Sequence, residues 1–302
     1  MGYNSIVCVK QVPDTKQITG QAMKSDGTVN RAALPAIFNP EDLNALESAL
    51  EARDRHGGTV TVLTMGLPSA CDVLRDALCR GADHAVLVTD RRCAASDTLA
   101  TSYILSCAVR KLNADVVFCG RQAIDGDTAQ VGPQLAEKLG YTLVTYLEDF
   151  EFEGRTVRVR RNIGNGYEVV RSQLPALFTV VESANKPRPQ ALRKALKFKK
   201  ALSPLEVNKI VTEQLPDADD NTKRSEAANR CQALAKQGLL ITQWDLDDLE
   251  ADLTWCGVTG SPTKVNRIQS IVLAGGDYKE FPPTDAGINQ LIYELVEDHT
   301  IG

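Results

Sequence analysis

Short apolar runs alternate with stretches of helical periodicity through the first half of the chain, and this alternation constrains the fold most strongly. Such runs, each followed by an amphipathic helix, are typical of β-α-β units and of a parallel sheet that helices cover on both faces. We therefore predict an α/β fold. Its strands are predicted over residues 5–9, 59–64, 84–88, 115–119 and 142–146.

A helix start follows Phe38. Asn39 stands at an N-cap position, and Pro40 follows at the first helical position. Glu41 and Asp42 come next, where carboxylates favour the positive end of the helix dipole. We predict that Asn39 caps this helix and that the helix ends near residue 56, before two glycines. The same rules predict three further boundary residues: Ser96 as an N-cap, and Gly81 and Gly140 as C-terminal stops.

From about residue 148 the pattern changes to short alternating segments. Valines and arginines alternate over residues 157–160, so the valines face one side of a strand and the arginines the other. Asn165-Gly166 is a turn signal. We predict a hairpin appended to the sheet and then one more buried strand over residues 173–181.

The rest of the chain differs in composition. Residues 186–200 hold seven lysines and arginines, no acid and two early prolines. We do not expect a segment of this composition to form a hydrophobic core of its own. The apolar stripes beyond this segment exceed what so few elements can bury among themselves, so we predict a C-terminal arm that packs on another surface. Its predicted parts are an acidic linker over 213–220, helices over 225–237, 245–252 and 285–298, and a strand over 268–273.

Composition argues against several classes of function. The net charge of −5 gives no reason to expect nucleic acid. The eight cysteines include no C-x-x-C pair and the three histidines lack ligand spacing, so we predict reduced cysteines and no metal site. The N-terminus does not resemble a signal peptide, and no apolar run reaches the ~18 residues of a membrane span. The expected location is cytoplasmic.

The segment over residues 120–133 is the richest in groups that could bind a ligand. It lies between a predicted strand and a predicted helix, where free N–H groups and the helix dipole attract phosphate. Gly126 permits close approach, Thr128 and Gln130 can donate to phosphate oxygens, and Asp125 can accept from a ribose or an adenine edge. An ordinary polar loop with a helix cap explains the same residues. The segment matches neither G-x-G-x-x-G nor a P-loop, so both interpretations stay open at this point.

Six motifs, in the same order along nearly the whole chain, resemble the beta subunit of electron-transfer flavoproteins. They are CVKQVPDT at residues 8–15, FNPED at 38–42, LTMG at 63–66, RGAD at 80–83, GRQAIDGDTAQVGP at 120–133 and GSPTKV at 260–265. The resemblance implies a Rossmann-like domain of the adenine nucleotide α-hydrolase type. It also implies an alpha subunit as partner.

Matching positions imply a nucleotide cradled by the carboxyl ends of the strands. Val12 to Thr15 lie close enough to be included with less weight. The implied cofactor-binding residues are Cys8, Val9, Lys10, Asn39, Pro40, Glu41, Asp42, Met65, Gly66, Gly120, Gln122, Asp125, Gly126, Asp127, Thr128, Ala129, Gln130, Val131 and Gly132.

Members of this family differ in the nucleotide that they hold. Simple carriers hold structural AMP in this subunit, whereas electron-bifurcating members hold a second FAD. The sequences VPDT and DGDTAQVGP together resemble the bifurcating group. That resemblance implies an FAD that takes hydride from NADH and sends one electron to ferredoxin or flavodoxin and one to the FAD of the partner subunit. The flavin supplies the chemistry, so no side chain is expected to be catalytic. The chain is expected to act as an oxidoreductase only within a complex.

The basic segment resembles the loop through which the family docks on a dehydrogenase, with Leu192 at the position of the anchoring leucine. A solvated linker is the alternative. The partner enzyme is expected to be an acyl-CoA or 2-hydroxy acid dehydrogenase. The implied division is a nucleotide-binding domain over residues 1–185, a recognition loop and linker over 186–212, and an arm over 213–302 that packs on the partner subunit.

Two alternatives from other classes of function remain. A nucleotide-binding regulatory module without redox activity fits the α/β pattern but leaves the six ordered motifs to coincidence. A nucleic-acid-binding protein depends on the basic segment alone, in which Phe198 is the only aromatic residue available for stacking.

Overall fold

The computed structural model describes residues 2–14, 34–263 and 279–297. Within these ranges the strands are β1 (Tyr3–Cys8), β2 (Gln11–Pro13), β3 (Ala36–Phe38), β4 (Gly58–Met65), β5 (His84–Val88), β6 (Val116–Gly120), β7 (Thr142–Glu153), β8 (Thr156–Asn162), β9 (Tyr167–Gln173), β10 (Ala176–Val180) and β11 (Thr242–Trp244). The helices are α1 (Pro40–His56), α2 (Cys71–Arg80), α3 (Thr98–Leu112), α4 (Val131–Leu139), α5 (Leu192–Phe198), α6 (Pro204–Gln214), α7 (Asp220–Lys236) and α8 (Asp285–Glu297).

A nine-stranded sheet in the order β11-β5-β4-β1-β6-β10-β7-β8-β9 organises the described chain. Neighbouring strands from β11 to β7 are parallel, whereas β7, β8 and β9 pair antiparallel. The predicted α/β class is therefore confirmed. β2 and β3 form a separate antiparallel pair.

Helices cover both faces of the parallel part. Leu46 of α1 and Leu74 of α2 belong to the core on one face, together with Phe118 of β6. Ile104 of α3 and Leu135 of α4 belong to the core on the other face. Both faces of these strands are buried, which explains why they read as continuous apolar runs and not as alternating ones.

The antiparallel extension is a three-stranded meander and so is larger than the predicted hairpin. Val157 and Val159 are fully buried while Arg158 and Arg160 are exposed, which confirms the predicted alternation. The predicted strand over residues 173–181 is wrong at its start. Gln173 is the last residue of β9, and the buried strand β10 begins only at Ala176.

After β10 the chain crosses the outer side of α1, and we call residues 182–188 the strap. The amide of Asn44 donates to the carbonyls of Glu182 and Asn185. Arg188 binds Glu47 through its backbone N–H and its guanidinium at about 2.9 Å. The chain then continues into α5, which packs on α2. These contacts fix the start of the basic segment to α1.

The region after the basic segment differs most from the prediction. α6 was not predicted, although Ser203 and Glu206 form the reciprocal capping box that begins it. α7 starts at Asp220 and not at residue 225, because Asp219 caps it, so the acidic linker is shorter than predicted. The predicted helix over residues 245–252 is wrong, since these residues form turns in which acidic side chains accept backbone N–H groups.

Residues 239–261 pack on the sheet of the chain itself. β11 adds to the free edge of β5, and Leu246 is fully buried in the core under α3. Docking of the arm on a partner subunit stays a prediction, and this part of the arm already has a surface within the chain. α8 was predicted as a helix, and it exposes Ile288, Ile292 and Tyr293. The predicted strand over residues 268–273 lies outside the described residues.

The eight cysteines are free thiols. In the described ranges no helix has the length and apolar character needed to cross a bilayer.

Candidate functional site

The site lies between β1 and β6, where the order in which strands are added to the sheet changes direction. β1 is followed by α1 on one face of the sheet, whereas its neighbour β6 is followed by α4 on the other face. The loops after these two strands therefore diverge and leave a crevice at their carboxyl ends, the usual ligand position in open α/β sheets. Cys8 and Cys119 are register partners directly beneath it.

The first turn of α1 holds both loops through buried side chains. Asp42 accepts the backbone N–H of Lys10 at 2.8 Å and that of Gly120 at 3.1 Å. Glu41 accepts the backbone N–H of Gln122 at 2.8 Å. These two carboxylates therefore hold the loop after β1 and the loop after β6 against one helix end.

Asn39 does not cap α1 through its side chain as predicted. Its amide oxygen accepts the N–H of Ile124 at 3.1 Å, and its amide nitrogen donates to the carbonyl of Gln122 at 2.9 Å. The side chain is fully buried in these contacts. The predicted cap of α3 was one residue too early, because the side chain of Asp97, and not that of Ser96, accepts the N–H of Ala100 in the first turn.

The residues predicted at the ends of β1 and β4 are mostly buried. Cys8 and Val9 are less than a tenth exposed, so a ligand could meet them mainly through their backbone. The backbone N–H of Val9 already donates to Leu63, and that of Gly66 donates to Val88. Met65 is partly exposed at the same edge. These positions could line an adenosine group.

Lys10 projects over the crevice and pairs with Asp125 at 2.7 Å. The side chain of Lys10 is half exposed, and the pair joins the loop after β1 to the loop after β6. A cation in this position could also approach an anionic ligand, since ion pairs at an exposed surface contribute little to stability.

Backbone N–H groups converge in the loop before α4. Asp127 and Ala129 have φ of +49° and +52°, and Gln130 returns to the right-handed region. Alternation of this kind turns successive N–H groups toward one side and forms an anion-binding concavity. The N–H groups from Thr128 to Gly132 donate to no acceptor in the described chain, and we call this run the phosphate cradle. It opens α4, whose dipole adds to the attraction for an anion.

Gly126 and Gly132 have different surroundings. A Cβ at Gly126 would meet nothing within 4 Å, so this side of the phosphate cradle is open. A Cβ at Gly132 would lie 2.8 Å from the Thr179 methyl group, so glycine lets α4 sit close to β10. In the same helix the side-chain oxygen of Gln134 is the one buried polar side-chain atom without a partner in the described residues. It leaves an acceptor for a ligand or a water molecule.

The predicted residues therefore fall into two groups. Asn39, Glu41 and Asp42 hold the loops, and Pro40 supplies the first residue of α1. The residues from Thr128 to Gly132 offer free backbone donors, and the positive φ of Asp127 precedes them. Two further residues at the same edge were not predicted: Arg121, which pairs with Glu41 at 3.0 Å, and Thr179 on the buried strand β10. Arg121 lies inside the GRQAI motif, and Thr179 is the one polar residue among the apolar residues 176–181, which was the signal that could have indicated it.

The close packing of Gly120 against α1 can be tested by adding one carbon. A Cβ at this position would lie 2.3 Å from the Asp42 carboxylate, so we expect Gly120→Ala to displace the first turn of α1, lower the free energy of unfolding and weaken nucleotide binding. Urea unfolding and calorimetric titration measure both effects. Gly166→Ala, in the turn between β8 and β9, is the matched control, because nothing lies within 4 Å of its Cβ. Equal effects of the two variants would contradict the role given to Gly120.

Because Asp42 is buried, its contribution to the free energy of unfolding depends on pH. Desolvation raises the pKa of this carboxyl from 3.8 to about 7, although the Asn39 side chain and the N–H groups of Lys10 and Gly120 act to lower it. The folded chain therefore binds a proton between about pH 4 and 7 that the unfolded chain has released. This contribution to stability is present at low pH and is lost as the pH rises through that window, at up to ~1.4 kcal/mol per pH unit.

We expect Asp42→Asn, which cannot ionise, to lack this contribution. The difference in unfolding free energy between wild type and variant should then change steadily between pH 4.5 and 7.5 and level off above it. Urea titrations at several pH values measure it, with Asp217→Asn on an exposed loop as the control. Parallel pH profiles for wild type and Asp42→Asn would contradict the raised pKa.

Comparison with known proteins identifies the family. Residues 26–207 match the Electron transfer flavoprotein domain. Electron transfer flavoprotein subunit beta of Clostridium acetobutylicum is 38% identical over 299 residues, which cover 99% of this chain and 100% of the relative. Caffeyl-CoA reductase-Etf complex subunit CarD of Acetobacterium woodii is 36% identical, with coverage of 98% and 99%. Acryloyl-CoA reductase electron transfer subunit gamma of Anaerotignum propionicum is 46% identical over 218 residues, covering 70% of this chain and 81% of the relative.

These matches extend over nearly the whole chain and include the loops that form the crevice and the phosphate cradle. The chain therefore belongs to the electron transfer flavoprotein beta-subunit family.

Proposed function

We propose that this chain binds FAD in the crevice between β1 and β6 and acts with an alpha subunit as an electron-bifurcating flavoprotein. The observation that carries this proposal is the phosphate cradle, whose free N–H groups run from Thr128 to Gly132. A run of five donors at a helix start can accommodate the two linked phosphates of a dinucleotide. The open space at Gly126 leaves room for a ligand that continues beyond them.

The other residues of the crevice suit the rest of the cofactor. The ends of β1 and β4, near Val9 and Met65, could contact adenosine, and Lys10 could balance the charge of the diphosphate. Asp42 and Asn39 hold the loops in place and need not contact the ligand. Bound FAD would supply the redox chemistry, namely hydride acceptance from NADH and single-electron transfer to ferredoxin or flavodoxin and to the alpha-subunit flavin.

The relatives support a role within a larger complex. Two of them are named as subunits of acyl-CoA reductase systems, one for caffeyl-CoA and one for acryloyl-CoA. We infer that the enzyme served by this chain is an acyl-CoA dehydrogenase, with a 2-hydroxy acid dehydrogenase as the alternative. The cytoplasmic location stays a prediction.

A carrier that holds structural AMP is the second candidate. The crevice and the first donors of the phosphate cradle could bind a mononucleotide without using the opening at Gly126. The two candidates therefore differ in what lies beyond the phosphates. A regulatory module without redox activity would leave the match to electron-transfer relatives unexplained.

The nucleotide content of the purified heterodimer tests the proposal. We expect two FAD molecules per heterodimer, measured by denaturation, chromatography and visible absorption. Thr128→Glu should remove one FAD selectively, because a carboxylate in the cradle repels the phosphates. Thr212→Glu, on the exposed side of α6, should retain both. One FAD and one AMP per wild-type heterodimer would overturn the bifurcating assignment.

Docking on the dehydrogenase is assigned to α5. Leu192 and Leu196 stand four residues apart and are 76% and 55% exposed, so they form a short apolar stripe on the outer side of the helix. Lysines and arginines surround this stripe, and residues 186–200 contain no acid. Arg188 is paired to Glu47 and Asp54, so the helix is held in position before a partner arrives. An ordered apolar anchor among positive charges suits an acidic-rimmed pocket on the partner.

We expect Leu192→Ala to weaken transfer to the dehydrogenase while NADH still reduces the bound flavin at the wild-type rate. Truncation of an interface anchor typically costs ~2 kcal/mol, about thirtyfold in affinity. Stopped-flow flavin reduction and dehydrogenase-coupled turnover at subsaturating enzyme measure the two steps separately. Leu253→Ala, 46% exposed on another surface, is the control. Unchanged coupled turnover in Leu192→Ala would remove α5 from the docking site.

A further inference from the structure

Tyr146 has a strained backbone beside the crevice. Its φ of +59° lies in the left-handed region, where a bulky side chain is an outlier. The pairing of β7 with β10 is irregular here, because Thr145 and Tyr146 both lie between the register pairs Val144–Phe178 and Leu147–Val180. Strain of this kind persists only where the surroundings impose it, and it often marks a functional position.

Contacts tie this strained residue to the site on two sides. The backbone N–H of Tyr146 donates to the hydroxyl of Thr179 at 3.1 Å, and the methyl group of Thr179 is the atom nearest to a Cβ at Gly132 in the phosphate cradle. On the other side, the guanidinium of Arg121 lies 5.8 Å from the centre of the Tyr146 ring and pairs with Glu41. The ring itself is not enclosed, since Tyr146 is 40% exposed.

The strand order places the ring beyond the phosphates. Along the carboxyl edge the order is β4, β1, β6, β10, β7, with about 4.8 Å from one strand to the next. In the proposed site, adenosine lies at β4 and β1, and the phosphates lie at the start of α4, where Gly132 packs against Thr179 of β10. Of the strands in this row, β7 with Tyr146 lies beyond them. A mononucleotide ends at the cradle. A dinucleotide has a further planar group that can continue toward β7.

We propose that Tyr146, supported by Arg121, is the platform on which the isoalloxazine ring of FAD stacks, and that it thereby determines the preference for FAD over AMP. The inference rests on the proposed FAD site and adds a residue to it. Aromatic rings stack on flat π systems, and the cation of Arg121 lies within cation–π distance of the electron-rich Tyr146 ring, which it helps to hold in place. The fixed position of Tyr146 means that little side-chain freedom is lost when a ligand binds.

The test compares FAD and AMP binding to the alpha–beta heterodimer after removal of its exchangeable nucleotide, by calorimetry and by the visible absorption of bound flavin. We expect Tyr146→Gly to raise the dissociation constant for FAD about tenfold, the usual effect of one lost stacking contact. The constant for AMP should stay within about twofold of wild type. The thermal midpoint should not fall, because glycine adopts a positive φ without strain.

Two control variants separate stacking from scaffold effects. Tyr146→Phe keeps the ring and should keep the affinity for FAD, and Tyr167→Ala removes an exposed ring from β9 and should change neither constant. An unchanged dissociation constant for FAD in Tyr146→Gly, or an equal rise in the constants for FAD and AMP, would contradict the stacking role of Tyr146. Neither result would contradict the proposed FAD site. A wild-type heterodimer that binds AMP but no FAD at this site would overturn both proposals.

Discussion

The buried carboxylate of Asp42 holds the site together. One oxygen accepts the N–H of Lys10 and the other accepts the N–H of Gly120, so a single side chain spans the divergence between the two loops that form the crevice. Both loops leave the ends of central strands for opposite faces of the sheet, and backbone pairing between the strands stops there. Without this link the N–H of Gly120 would lose its acceptor at the end of β6, and only Asn39 and Glu41 would still hold the loop after β6 to α1.

The same helix end combines three inward-facing polar residues. Asn39, Glu41 and Asp42 each satisfy backbone groups of the loop after β1 or of the loop after β6, at a cost in desolvation that raises the pKa of Asp42. Buried polar networks of this kind fix a unique geometry when every member is satisfied. The arrangement keeps the phosphate cradle, which lacks internal partners, at a constant position relative to the sheet. The free N–H groups of the phosphate cradle are therefore held in place by a neighbouring network whose polar groups are all hydrogen-bonded.

Local patterns identified the elements but not the roles of their residues. The five predicted parallel strands were found within a residue or two at each end, except that β7 continues into the meander, because apolar runs buried on both faces give a clear signal. Asn39 was placed correctly at the start of α1 but was given the wrong function, since its side chain bonds to residues more than eighty positions away. The acidic run at residues 245–252 resembled a helix because its leucines are suitably spaced, and capping by its own aspartates favours turns instead. The strain at Tyr146 depends on a bulge between β7 and β10, which no local pattern reveals.

Because β11 returns to the central sheet, helices α5, α6 and α7 form an insertion between two of its strands. The chain leaves the sheet at β10, passes over α1 as the strap, packs α5 on α2, forms α6 and α7, and returns to the same sheet at the edge of β5. The bridge between Leu202 and Leu240 closes the base of the α6–α7 pair. The helix α5, proposed above for docking, thus belongs to an insertion between two strands of one sheet and packs on α2. Substitutions within this insertion can therefore change the proposed docking surface without changing the strand ends that form the crevice, so partner choice and nucleotide binding can evolve separately.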